Sequence, residues 1–260
     1  MLPILICLLL PAQLDTKLEP RTVTAFEDYA KKVEQEIGNR APSVSASQKQ
    51  SLLRGDVLIR PGGGGKNPID IPGGLIHDWT GTIFFPNVSM EQVLAAMQDF
   101  DHQTRWFPEL LRSKLVNHSG NDLTGYWRLE KKEQLVDVVF DVTQQAHYEQ
   151  PAPNRWICRS YAKDVREVRD AGTPNEKILP VGEGLGVFWR GYYYWSLEAS
   201  DKGVIAELRT LSLTRGIPTG MGWMMKPVLQ NVPRESLGAT LRNTRKAVTE
   251  AGIPHPSSRR

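Results

Sequence analysis

Cysteine is almost missing from this 260-residue chain, which has only Cys7 and Cys158. Cys7 falls in an N-terminal apolar run that reads as removable. Cys158 is then alone, so no internal disulfide forms and no thiolate metal site can be assembled. Long hydrophobic runs are also missing: Leu2 to Leu10 is nine residues, too short to cross a bilayer. Neither sign of charge dominates. Lys and Arg number 32 against 29 Asp and Glu, a net +3 with its densest basic run at the C-terminal end, so a nucleic-acid footprint is not supported. Catalytic signatures are lacking as well. There is no G-x-S-x-G elbow, and His77, His102, His118 and His147 form no HxxxH or HExxH pair. Cys158 sits in an apolar strand where a thiol is inert. No catalytic residue, cofactor or metal is expected.

Glycine, by contrast, clusters. RPGGGGKNPIDIPGG, Arg60 to Gly74, sets four glycines before Lys66, as a phosphate-cradling loop can. That pattern needs glycine where Arg60 stands and a hydroxyl residue where Asn67 stands. Pro68 and Pro72 also occupy the place where its helix would begin. The stretch therefore reads as a flexible turn. DVLIRP before it and GGLIHDWTG after it can pair as a hairpin, leaving PGGGGKNPIDIP as a mobile tip.

Aromatic residues are plentiful, with seven each of Trp, Tyr and Phe, and supply large apolar area with polar handles. The opening MLPILICLLLPAQLDT matches a signal-peptide core with cleavage after Ala12. Export to a periplasmic or extracellular location is the expectation, and a cytoplasmic location the alternative. Thr24 and Glu27 form a capping box for an amphipathic helix carrying Phe26, Tyr29, Ala30, Val33 and Ile37 on one face up to Gly38. This helix is expected outside the main domain. Residues 39 to 54 are small and polar, and read as a linker.

From Leu75 the texture becomes strand, with Trp79, Ile83 and Phe85 alternating until Pro86. Ser89 and Gln92 cap a helix whose apolar side is Met90, Val93, Leu94, Met97 and Phe100, and a short turn DHQTRWFP follows. Six long strand segments then run to residue 215, joined by turn residues: an antiparallel meander whose strands are long enough to require a curved sheet. Pro233 suits a first helical position, and Leu237, Leu241, Thr244 and Val248 give that last helix its apolar stripe. The preceding IPTGMGWMMKPVLQNV reads as a kinked first half of the helix or as a loop-helix lid.

Strand, helix pair, six antiparallel strands and a long final helix is an order that resembles the START-like (SRPBCC) superfamily, which includes polyketide cyclases, aromatases and lipid-transfer domains. GGLIHDWTGTIFFP with SMEQVLAAMQDFDHQTRWFPEL is similar to that family's opening strand and helix pair. RGIPTGMGWMMKPVLQNVPRESLGATLRNTRKAV is similar to its last strand edge, glycine loop and gripping helix. The resemblance covers about residues 73 to 252 and implies an α+β helix-grip fold: a seven-stranded curved antiparallel sheet around the C-terminal helix, with a largely apolar cavity between them. The organisation expected is a signal peptide over 1–13, the N-terminal helix and linker over 14–54, a possible strand and glycine loop over 55–74, the helix-grip domain over 75–252, and a disordered tail over 253–260.

Candidate residues for that cavity are Trp106, Phe107, Trp127, Phe140, Arg159, Tyr161, Arg190, Tyr192, Tyr194, Arg209, Met221, Trp223 and Met224. Alternation along VFWRGYYYWS puts Phe188, Arg190, Tyr192 and Tyr194 on one face and Trp189, Tyr193, Trp195 and Leu197 on the other. The sequence leaves open which set faces inward. The expected function is binding, and possible transport, of a hydrophobic small molecule or lipid, with no nucleic acid as partner. The alternatives are a cyclase or aromatase-like enzyme using cavity Tyr and Arg with Asp101 or His102, and a non-catalytic structural domain.

Overall fold

The computed structural model describes residues 15–38, 40–133, 136–217 and 222–251; side chains are described for 15–38, 40–132, 137–217 and 232–250. The expected signal peptide over 1–13 and tail over 253–260 lie outside the described residues.

Among the described residues four α-helices and twelve strands follow in order: β1 (Thr16–Lys17), α1 (Pro20–Ile37), α2 (Ala46–Leu53), β2 (Leu58–Pro61), β3 (Ile69–Ile71), β4 (Gly74–Pro86), α3 (Met90–Gln98), β5 (Leu110–Ser119), β6 (Asp122–Glu133), β7 (Val136–Ala152), β8 (Arg155–Arg169), β9 (Lys177–Ile178), β10 (Glu183–Gly184), β11 (Arg190–Ser200), β12 (Gly203–Arg215) and α4 (Gly222–Ala251). The main sheet is antiparallel in the order β2-β4-β12-β11-β8-β7-β6-β5, with β3 added to β4 and β9 to β8. Its seven long strands are those expected, and β4 closes back on the last strand, β12, as the meander curves around. Bulges at Thr143/Gln144 in the β7–β8 pairing and twice between β5 and β6 add to that curvature.

The glycine stretch forms the expected hairpin, but its tip does not stand free as expected, because Ile69–Ile71 pairs with β4. Leu58 pairs with Thr82 and Pro61 with Trp79, while β3, inside the tip, pairs with Leu75 and Ile76. Gly62 has a specific use: a Cβ there would stand 2.1 Å from the Asp78 Oδ1.

Two layers cover the sheet. On its concave face α4 presses Leu237 and Leu241 against β4, where Gly81 makes the approach possible; a Cβ at Gly81 would lie 2.4 Å from Leu241 Cδ1. The Lys131 Nζ of β6 donates to Ser236 Oγ at 2.9 Å, so α4 reaches from the β4 side to the β6 side. Leu237, Leu241, Thr244 and Val248 are all buried, as their spacing predicts. On the convex face α1 buries Phe26, Ala30, Val33 and Ile37 against Ile76, Tyr192, Tyr194, Leu211 and Leu213.

Four expectations are corrected. Helix α1 is not outside the domain, because its apolar face has the convex sheet surface to bury against. It begins at Pro20 with Glu19 as N-cap, and Thr24 donates to the Pro20 carbonyl within the helix instead of capping it. The linker contains α2, capped reciprocally by Ser45 and Gln48 and held by Leu52 against Phe84 and Ile205. The last helix begins at Gly222, so the stretch before Pro233 is the helix's first half, one of its two expected readings, and Pro233 is an interior position instead of the first helical one.

Candidate functional site

Side chains alternate along each strand, and the pairing register lines them into rows across the concave face. One row is Gly81, Leu208, Trp195, Cys158 and Tyr148. It is solid core: Leu208, Trp195, Cys158 and Tyr148 are buried together with Leu237 and Leu241. Burial raises the Cys158 thiol to about 12, as expected for an inert cysteine.

The next row is Trp79, Thr210, Tyr193, Ser160, Ala146 and Leu123, and the one after it His77, Ser212, Gly191, Ala162, Gln144 and Gly125. Their composition changes to hydroxyls, amide, imidazole and small residues. Their burial changes too. Trp79, Thr210, Ser212 and Tyr193 are only half-buried, although β4, β12 and β11 lie inside the sheet. His77 and Gln144 are 1% and 6% exposed. His77 Nε2 meets Thr214 Oγ1 at 3.0 Å and Gln144 Nε2 donates to Ser160 Oγ at 2.6 Å. Yet His77 Nδ1, Gln144 Oε1 and Trp79 Nε1 have no hydrogen-bond partner among the described residues. Each such buried orphan costs about 1–3 kcal/mol unless something else satisfies it. Burial lowers the His77 pKa to about 4, so the ring is neutral near pH 7, and burial raises the Tyr193 phenol to about 12.

Of the sequence candidates, Trp127 and Phe140 stand on this face. Trp127 Nε1 donates to Gln103 Oε1 at 2.7 Å and its ring stacks on Phe100 at 5.8 Å. Phe140 meets Phe188 edge-on at 5.8 Å. Trp106 and Phe107 are half-buried just after the 3₁₀ turn Phe100–Arg105. Met221 and the side chains of Trp223 and Met224 lie outside the described residues.

Arg159, Tyr161, Arg190, Tyr192, Tyr194 and Arg209 are on the convex face, beneath and beside α1. The reason is chemical: α1 brings carboxylates to that face. Glu34 accepts from Tyr161 (2.9 Å) and Tyr194 (3.0 Å), and Glu27 accepts from Arg190 and Tyr192. Arg209 grips Asp78 with Nε and Nη2 at 2.9 and 2.7 Å and reaches Glu36 with Nη1 at 3.0 Å; Tyr29 donates to the same Asp78. Arg159 donates to the Gly38 carbonyl and pairs with Glu149. Burial, reinforced by Glu34, pushes the Tyr161 and Tyr194 phenols upward. His77, Thr210, Ser212 and Gln144 of the two rows are not among the sequence candidates. The alternation places them once the face of Trp79 is known, but nothing in their own residue types marks them.

Asp99, Asp101 and His102 are exposed. His102 Nδ1 pairs with Asp99 at 2.7 Å on the surface, and Asp101 accepts from the Leu115 backbone N–H at 2.9 Å. Two surface hollows, about 380 Å³ beside Val57–Arg60 and about 470 Å³ beside Asp70–Leu75, lie at the sheet rim and include no side chain of the two polar rows.

An α+β sheet curved around its own C-terminal helix defines the chain as a helix-grip protein. No family model matches it, and no curated protein matches it. Solved structures with a similar backbone include three with named roles. The STAR-related lipid transfer protein (fragment 25–204) of Xanthomonas axonopodis is 17% identical, covering 70% of this chain and 96% of that one, with a TM-score of 0.47. The Zhui aromatase/cyclase of Streptomyces sp. R1128 is 10% identical over 69% and 97%, TM-score 0.47. Human STARD10 is 12% identical over 82% and 83%, TM-score 0.43. At these identities the likeness concerns the fold alone. Among the described residues no helix is long and apolar enough to cross a membrane.

Proposed function

We propose that the protein binds a hydrophobic small molecule or lipid between the concave face and α4, and carries it outside the cytoplasm. One observation carries this reading: beside a row of solid apolar core, the next two rows of the concave face bring in His77, Thr210, Ser212, Ser160 and Gln144, with Trp79, Thr210, Tyr193 and Ser212 only half-buried and three buried polar atoms without a partner among the described residues. A binding site differs from a core in this way, with a few oriented polar groups among aromatic and aliphatic walls. Trp79, Trp127, Phe140, Phe188 and Tyr193 supply those walls. Native mass spectrometry of protein purified from cell extract is expected to show added mass that organic extraction releases. Folded protein that carries nothing and takes up no hydrophobic probe would contradict the proposal.

A further inference from the structure

The two polar rows contain hydrogen-bonding groups of both kinds and no charge. Tyr193, Thr210, Ser212 and Ser160 hydroxyls donate and accept, Trp79 Nε1 donates, and the free Gln144 Oε1 accepts. Gly191 leaves open the space into which the Tyr193 hydroxyl folds, 2.6 Å from where a Cβ would stand. His77 adds no positive charge, because burial keeps its imidazole neutral. Lys131 and Glu167 share the concave alternation but stand beyond these rows, where they bond Ser236 Oγ and the Leu185 backbone N–H. On β4, β11 and β12, the Asp78, Arg190, Glu207 and Arg209 side chains pair on the convex face.

Resting on the binding reading above, we infer that the group seated on the His77 to Gln144 rows is an uncharged, hydrogen-bonding pole of the ligand, an alcohol or a carbonyl, and that a carboxylate or phosphate is refused there. A buried anion on these rows would lose its hydration with no counter-charge on the rows themselves to replace it. An alcohol instead donates to Gln144 Oε1 or His77 Nδ1 and accepts from Tyr193 or Trp79.

Matched probes test this: retinol against retinoate, and dodecanol against dodecanoate, titrated at pH 7.5 by quenching of tryptophan fluorescence. The alcohol of a pair is expected to bind at least about tenfold more tightly than its acid. Tyr193→Phe and Gln144→Leu, checked for unchanged circular dichroism, are each expected to weaken the alcohol about three- to tenfold and leave the acid unchanged. Equal binding, or tighter binding of the acid, overturns the inference and leaves the binding reading standing. If neither pair binds, the ligand extracted from purified protein decides: a neutral alcohol or ketone supports the inference and a fatty acid overturns it. Nothing extracted contradicts the binding reading itself.

Discussion

His77 is the residue where environment and chemistry diverge most. It is 1% exposed, one ring nitrogen meets Thr214 and the other has no partner among the described residues. Folding lowers its pKa from 6.5 to about 4, so the unfolded chain binds a proton that the folded chain refuses between those values. The stabilisation is complete above about pH 6.5 and is lost as pH falls toward 4. Urea unfolding is expected to show about 2 kcal/mol less stability at pH 5 than at pH 7 from this group alone. The His77→Gln variant is expected to lose that part of the pH dependence; an unchanged slope would mean the ring is protonated or hydrated in the fold. At this scale the sequence was only half legible. The alternation of Tyr192 and Tyr194 against Tyr193 and Trp195 was readable, but not which set faced inward. Strands normally advertise a wet face by polar residues, and this sheet is covered on both faces, so aromatics occur on each. Alternation also fails before Arg190, where the strand begins. Phe188 turns to the concave side, and Trp189 packs among the convex cluster with Tyr192.

At the scale of elements, α1 is bonded to the sheet by polar groups as much as by its apolar stripe. Glu34 is the clearest case, since one carboxylate serves two buried tyrosine hydroxyls. Glu34→Ala is expected to cost about 2–3 kcal/mol, because both hydroxyls lose a charged partner. Ligand affinity should not change, since the residue acts on the opposite face from the polar rows. A Tm that falls with Kd unchanged supports the two-faced division, and a Kd that shifts tenfold contradicts it. Strand boundaries were legible here, as was the helix capped by Ser89, because apolar period, turn residues and caps agreed. Three helix starts were not. Pro20 opens α1 four residues before the apparent capping box at Thr24. The polar texture of 39–54 concealed a true box at Ser45 and Gln48. Pro233, a plausible first residue, sits well inside a helix of 30 residues.

Across the whole molecule, most of the paired charges and the two neutral polar rows are separated by a single sheet. Carboxylates from α1 and guanidinium groups from β8, β11 and β12 meet on the convex side, and the glycine loop closes over that network where Gly62 packs against Asp78. The two central rows of the concave side carry only neutral polar groups between aromatic walls, and Lys131 and Glu167 stand beyond them. The loop that looks most like a nucleotide site is therefore part of the structural face, and the concave rows carry no sequence motif at all. Fold was readable from order and period, while the site depends on register between strands far apart in the chain. The indole N–H resonances of the seven tryptophans report both faces in one ¹H–¹⁵N spectrum, because Trp79 lies on the concave rows and Trp189 in the convex cluster. On adding the extracted ligand or retinol, the Trp79 resonance is expected to shift with saturation while Trp189 stays in place. A shift at Trp189 with Trp79 unmoved would contradict the central claim that ligand is held between the concave face and α4.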